Sequence, residues 1–216
     1  MNFFKTPALL KYCYPQLLWD RFSVPPKSTP CLYLTFDDGP VPEVTPFVLD
    51  TLNQYQAPAT FFCVGENVDR HPDLYRTLLQ QGHRVGNHTY HHRNGWKTPD
   101  AQYREEVALC QTALQNHGQG MHTAPLDLFR PPYGKISRRQ IRQLAPQYTI
   151  VMWDILSGDF DTQFDAETCL RKCIKHTRPG TIIIFHDSYK AQKNLTYVLP
   201  RYLQHFTEAG YEFKTL

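Results

Sequence analysis

The residues of this chain best placed to do chemistry fall in five short segments, each closing a predicted strand: Thr35-Phe36-Asp37-Asp38-Gly39-Pro40, His88-Thr89-Tyr90-His91-His92, Arg130-Pro131-Pro132-Tyr133, Trp153 to Phe160, and Ile184-Phe185-His186-Asp187. Asp37 and Asp38 follow the apolar run Cys31-Leu32-Tyr33-Leu34. Two adjacent carboxylates there repel each other and lose hydration, so a fold keeps them only with a compensating cation. Asp38 can supply a hard oxygen ligand, and His88 and His92, four residues apart, present imidazoles on one side of a helical turn or compact loop. One carboxylate with two imidazoles leaves coordination positions for water and substrate, which marks a catalytic metal rather than a structural one. His91 replaces His92 only if the turn is irregular; helical geometry points it away from the ion.

A water on such an ion needs a base, and Asp37 stands beside the ligand Asp38 without easily binding the same ion. Arg130, after the fourth predicted strand, can pair bidentately with Asp37 and hold its orientation. His186 follows Ile182-Ile183-Ile184-Phe185 and suits a general acid, oriented by Asp159 or Asp187. A backbone N–H at Tyr133 or Gly134 can face a developing oxyanion.

Positioning these groups requires strands whose ends converge. Apolar strand patterns are read at Cys31 to Phe36, Thr60 to Val64, Arg84 to Asn87, Leu126 to Arg130, Thr149 to Trp153, Thr181 to Phe185 and Tyr211 to Lys214. Helical patterns lie between them near Val44 to Tyr55, Pro72 to Gln81, Pro99 to Asn116, Ser137 to Leu144, Asp165 to His176 and Asn194 to Ala209. Asp165 suits an N-cap, Pro72 and Pro99 a first turn, and Gly82, Gly118 and Gly210 the left-handed residue after a helix. The alternation predicts an α/β fold, a barrel of parallel strands whose C-terminal ends share one mouth. The first thirty residues, with an amphipathic stretch Ala8 to Trp19 and then Pro25-Pro26, read as a segment packed on the barrel, and residues 31–216 as the catalytic domain.

Composition narrows the function. At 216 residues the chain suits one domain with a substantial core. A formal charge of +3 is small, and Arg138, Arg139 and Arg142 read as the solvated face of one helix, so no nucleic-acid partner is expected. No run approaches the roughly 18 apolar residues of a spanning helix, and no export signal is read. A cytoplasmic address follows as an expectation, with a non-standard export route as its alternative. Cys13, Cys31, Cys63, Cys110, Cys169 and Cys173 are scattered and read as buried free thiols, the Cys169/Cys173 pair as core packing rather than half a metal site. His71, His83, His117, His122, His176 and His205 extend no constellation and read as structural histidines, while Trp96 and Tyr90 suit sugar stacking as well as they suit plain exposed loops. Asp154, after Trp153, reads as a neighbour of the site.

The five segments, in this order and spacing, resemble the polysaccharide deacetylases of carbohydrate esterase family four from Leu32 to Leu216. That resemblance implies a deformed (β/α)7 barrel, a divalent ion that is usually zinc, and removal of acetyl groups from N-acetylated or O-acetylated sugars. It implies Asp37 as base, Asp38, His88 and His92 as metal ligands, Arg130 as the residue holding the base, the Tyr133 N–H as oxyanion donor, and His186 as acid tuned by Asp159. Pro132, Tyr133, Phe160 and Ile184 are expected along the substrate. Phe160 stands where the family commonly carries Trp and Ser157 where another Asp is frequent, departures that bear on the substrate more than on the chemistry. A small soluble glycan or a lipid-linked sugar precursor fits the expected address. The rival readings are a non-haem iron oxygenase, which leaves Asp37 and Arg130 unexplained, a glycan-binding relative without activity, and a hydrolase of a non-sugar amide on the same scaffold.

Overall fold

The apolar run after residue 30 forms β1 (Cys31–Asp37), and its period of two divides the molecule. Leu32, Leu34 and Phe36 face outward and are fully buried in the larger core, against residues of the surrounding helices such as Val48, Leu195 and Val198. Each such side chain contributes about 1.5–3 kcal/mol relative to exposure. Thr35 and Asp37 face inward, where a second buried set, Phe62, Leu128, Val151, Ile182 and Leu216, fills the centre. The computed structural model describes residues 4–22, 29–121 and 124–216, so Pro25, Pro26 and His122 fall outside the described residues.

From β1 the chain continues through α2 (Val44–Gln54), β2 (Thr60–Cys63), α3 (Gly65–Arg70), α4 (Pro72–Gln80) and β3 (Arg84–Asn87). Then come α5 (Asp100–His117), β4 (Leu128–Phe129), α6 (Arg138–Leu144), β5 (Thr149–Ile150) and β6 (Ile155–Leu156). The last elements are α7 (Ala166–His176), β7 (Ile182–His186), α8 (Gln192–Glu208) and β8 (Glu212–Phe213). The strands run parallel in the order β5-β4-β3-β2-β1-β7-β6, with β8 beside the start of β1. The sheet curls into an incomplete barrel, an α/β fold, and sets Asp37, Asn87 and His186 at neighbouring strand ends.

Among the described residues β5 and β6 do not pair, and residues 4–22 occupy the gap between them. Leu18 bridges Val151 in parallel, and Lys5 and Asp20 bridge Ile155 and Thr181 in antiparallel fashion. Lys11 reaches across this seam to Asp20 at 2.7 Å and to the fully buried Asp154. Only Ala8–Cys13 of the expected amphipathic stretch is helical (α1), and it buries no residue; Leu17 and Trp19 are buried beyond its end.

Several expectations need correction. The strand expected over Thr149 to Trp153 is cut short and a separate β6 follows, because the Val151 and Met152 carbonyls accept from Arg130 instead of from a neighbouring strand. Among the described residues there are therefore eight strands rather than the seven expected, and α3 is an added helix. Gly118 ends α5 with φ −108°, and the left-handed conformation falls to Gly120 two residues on, whereas Gly82 and Gly210 have positive φ. Pro99 precedes the first turn of α5 instead of entering it, while Pro72 does open α4 and Asp165 caps α7. Cys13 is an exposed thiol, and the other five are buried. No helix among the described residues is long and apolar enough to cross a membrane.

Candidate active site

Asp37 ends β1 on the inner face with Thr35 two residues before it, so both point at the same buried guanidinium. Arg130 is wholly buried; its Nη1 donates to Asp37 Oδ1 at 2.7 Å and Thr35 Oγ1 at 2.8 Å, its Nη2 to Met152 O at 2.8 Å and its Nε to Val151 O at 3.3 Å. The expected bidentate pair is therefore a single contact, because the other donors are spent on Thr35 and on the backbone carbonyls after β5. Burial pulls the Arg130 pKa down and Asp37 opposes it.

Asp38, His88 and His92 come together. His92 Nε2 lies 3.2 Å and His88 Nε2 3.7 Å from Asp38 Oδ1, and one ligand atom from each of the three falls within 4.8 Å of the others. Donors held about 2.1 Å from a tetrahedral ion stand about 3.4 Å apart, so this oxygen and these nitrogens fit one divalent cation such as zinc. His88 Nδ1 lies 2.7 Å from the Arg130 carbonyl, so it donates there and leaves Nε2 turned to Asp38. Burial lowers the His88 pKa to about 4, which keeps the imidazole neutral at pH 7, as a metal ligand must be. Burial pushes Asp38 upward, but the His92 hydrogen bond and the His186 and His88 imidazoles outweigh it and hold the carboxyl well below its usual range.

The segment carrying the histidines is a loop, with Thr89 at φ 61° and His92 at φ 53°, which is how two imidazoles four residues apart face one point without a helix. Its shape is held from α5: the Glu106 carboxylate accepts from His91 N at 2.9 Å and lies 2.9 Å from His91 Nδ1. His91 is thus turned away from the cluster. Glu106 escaped the sequence reading, although a carboxylate on the stripe Tyr103, Val107 and Cys110 is a visible signal of a buried polar task. Asp38 at φ 82° and Tyr133 at φ 61° add to the positive-φ residues gathered here, a pattern typical of sites whose surroundings over-determine them.

His186 closes β7 opposite Asp37. Asp159 Oδ1 lies 2.8 Å from His186 Nδ1, and Oδ2 accepts from His186 N at 2.8 Å. Burial alone would lower the imidazole's pKa, but the Asp159 carboxylate holds it up at about 9. Asp187, the other candidate to orient it, accepts instead from Gly39 N at 3.2 Å and Thr45 Oγ1 at 2.7 Å, and burial lifts it to about 8. A Cβ on Gly39 would fall 1.9 Å from that carboxylate, so the turn after Asp38 requires glycine. Ser157 Oγ accepts from Asp159 N at 3.3 Å and shapes the turn that carries it.

These groups floor a cavity of about 520 Å³ walled by Tyr133, Trp153, Leu156, Phe160 and Ile184, with Ser188 and Lys190 also lining it. Pro132, expected along the substrate, is buried and does not line this cavity. Gly134 N is spent on Pro131 O at 3.0 Å, while among the described residues the Tyr133 N–H meets no acceptor. Tyr90 and Trp96 lie outside this cavity, Tyr90 bonded to Asp69 at 2.7 Å. Asp154 faces the N-terminal seam rather than the site. Thr35, Trp153 and Leu156 lie within the motif segments but carried no role of their own in the sequence, and Lys190 lies outside them; the role of Thr35 was legible from its shared strand face with Asp37.

The sequence matches the family described as polysaccharide deacetylase over residues 25–153. It is 36% identical over 156 residues to a peptidoglycan-N-acetylglucosamine deacetylase of Bacillus cereus, covering 72% of this chain and 55% of that protein. A second protein of that description from the same organism is 31% identical over 193 residues, covering 88% of each. The crystal structure of the Bc1960 peptidoglycan N-acetylglucosamine deacetylase, in complex with 4-naphthalen-1-yl-N-oxidanyl-benzamide, superposes with a TM-score of 0.85 at 28% identity over 98% of this chain and 95% of that one. The chain thus spans about half the length of the first relative and most of the other two. It belongs to the polysaccharide deacetylases, carbohydrate esterase family four.

Proposed function

We propose that this chain is a metal-dependent hydrolase that removes the acetyl group from an N-acetylated carbohydrate. The observation that carries the reading is the meeting, in one cavity, of Asp38, His88 and His92 with a carboxylate fastened by Arg130 and an imidazole backed by Asp159. Asp38, His88 and His92 would hold the ion, which when bound would supply Lewis acidity that makes water a better nucleophile and the acetyl carbonyl a better electrophile. Asp37 is the base: Oδ1 is fixed by Arg130, and Oδ2, 3.8 Å from His88 Nε2, takes a proton from the attacking water. The Tyr133 N–H donates to the oxyanion that develops on the carbonyl. His186, with Nδ1 committed to Asp159, gives the proton on Nε2 to the departing sugar nitrogen, and acetate and the free amine leave.

The family relationship and the peptidoglycan deacetylases among its relatives support an acetylated glycan as substrate. The test is acetate release from chitooligosaccharides, peptidoglycan fragments, acetylated xylan and N-acetylated monosaccharides, with metal stripped and restored. Metal-dependent release from an N-acetylated member is expected. Silence across the panel with the ion bound would overturn the reading in favour of a non-sugar amide.

A further inference from the structure

The two imidazoles that face Asp38 are not held alike. His88 is fixed by its own ring, whose Nδ1 donates to the Arg130 carbonyl at 2.7 Å, and by its backbone N–H, which donates to Cys63 O at 3.0 Å where the loop leaves β3. His92 lacks such support: among the described residues its ring meets Asp38 Oδ1 at 3.2 Å and packs 4.5 Å from the Tyr133 ring, and its other nitrogen forms no hydrogen bond. Histidines that bind a metal ordinarily have that second nitrogen tied to a carbonyl or carboxylate, which fixes the ring. His92 therefore takes its place from the backbone of residues 89–93.

His91, one residue away, is an imidazole of equal coordinating ability. With φ 61° at Thr89 and φ 53° at His92 the segment is an irregular loop, so no helical period assigns the two rings to different sides. Glu106 separates them. Its carboxylate, buried on α5, accepts from the His91 N–H through Oε2 and from His91 Nδ1 through Oε1, both at 2.9 Å, with Arg93 Nε 3.6 Å from Oε1. The Glu106 carbonyl accepts from Tyr90 N at 3.0 Å, and Thr89 Oγ1 accepts from Arg93 N at 3.0 Å, so the loop is fastened on both sides of His91. A buried carboxylate is costly unless it is hydrogen-bonded, and among the described residues every partner of this side chain belongs to the loop.

Resting on the metal-dependent reading of Asp38, His88 and His92, we infer that Glu106 and His91 form a positioning pair for that site. Glu106 holds His91 away from Asp38 and His88, and the same bonds turn His92 toward them. Neither Glu106 nor His91 lines the cavity, so the pair acts on the affinity for the ion and not on contact with the substrate. His88, anchored separately on Arg130 and Cys63, does not depend on it.

The experiment measures the zinc affinity of the full chain by competition with a chromophoric chelator, beside urea unfolding of the metal-free protein. Glu106→Leu is expected to bind zinc about 10–100-fold more weakly. Glu106→Gln, whose carbonyl oxygen still accepts from the His91 N–H, is expected to recover most of that affinity. His91→Ala, at an exposed side chain, removes one of the two bonds and is expected to fall between the wild type and Glu106→Leu. Val107→Ala, at a buried position beside Glu106 on the same helix, is expected to lose stability and keep wild-type zinc affinity. Unchanged zinc affinity in Glu106→Leu or in His91→Ala overturns the inference. So does a Val107→Ala variant that loses zinc as much as Glu106→Leu, because the packing of α5 is then the cause. If Glu106→Leu fails to fold, His91→Ala decides alone. A wild-type chain that takes up no zinc overturns the metal-dependent reading and this inference with it, whereas the other overturning results leave that reading standing.

Discussion

Arg130 Nη1 lies 2.7 Å from Asp37 Oδ1, and that single contact is all the carboxylate receives from a guanidinium with five N–H groups. The others are drawn to Thr35 and to the carbonyls of Val151 and Met152, 21 and 22 residues further along the chain. One oxygen of Asp37 is thereby fastened, and the other is left facing His88 and the cavity. The arrangement suits a group that must keep its position and still accept a proton.

Asp37→Asn keeps the geometry and removes the basicity. Turnover is expected to fall roughly 10²–10⁴-fold while the metal content stays at the wild-type level. Acetate release alongside metal analysis checks this, and full activity in the variant would remove Asp37 from its role.

The ligand set is tested by its complement. Asp38→Asn and His92→Ala are expected to lose metal affinity and activity together, and chelation of the wild-type chain to abolish turnover until zinc is restored. A variant lacking His92 that still holds one ion per chain would redraw the site.

Removing the guanidinium leaves Asp37 buried without a partner. Arg130→Met is expected to cost about 3–5 kcal/mol, read from urea unfolding. Arg130→Lys is expected to fold better yet remain impaired, because one ammonium cannot reach four acceptors spread over β1 and the turn after β5.

In the proposed reaction His186 gives up a proton, which it can do only while protonated. Burial pulls its pKa down and Asp159 more than offsets this, to about 9, so the proton is present below that pH and lost above it. Turnover is therefore expected to decline on the alkaline side with an apparent pKa near 9. Asp159→Asn leaves burial dominant and should move that limb to lower pH; a limb that stays in place would exclude His186 as the donor.

At the seam, Lys11 compensates the wholly buried Asp154, with Lys5 3.8 Å away as a weaker neighbour. Lys11→Met is expected to destabilise the chain by about 3 kcal/mol in denaturant unfolding. Double replacement with Asp154→Asn should recover part of that loss, since the uncompensated charge is then gone.

Local pattern carried much of the architecture. Leu32, Leu34 and Phe36 alternate with Thr35 and Asp37, and that period alone places the two carboxylates at a strand end with one face buried. His88 and His92, Arg130 and His186 were legible as members of a site because each closes an apolar run, and parallel strands bring such ends to one mouth. Other features were hidden because their causes are remote in the chain. Whether Arg130 meets Asp37 by one oxygen or two depends on carbonyls after β5, and those same bonds cut the expected strand in two. Glu106 controls the histidine loop from 15 residues away in sequence; for His186 the residues alone left Asp159 and Asp187 open, the family resemblance pointed to Asp159, and Asp159 reaches it across 27 residues.

The sequence by itself determined which residues are chemically able and on which face of which element they stand, because strand and helix periods are local consequences of the backbone. The tertiary structure alone decided which donor each acceptor receives, how far His186, His88 and Asp187 are moved from their ordinary pKa values, and that residues 4–22 bridge to β6 and to the residues beside β5 and β7 where, among the described residues, β5 and β6 do not pair. Hydrogen-bond partners and desolvation are set by whatever the fold packs against a group, and sequence spacing does not carry that information.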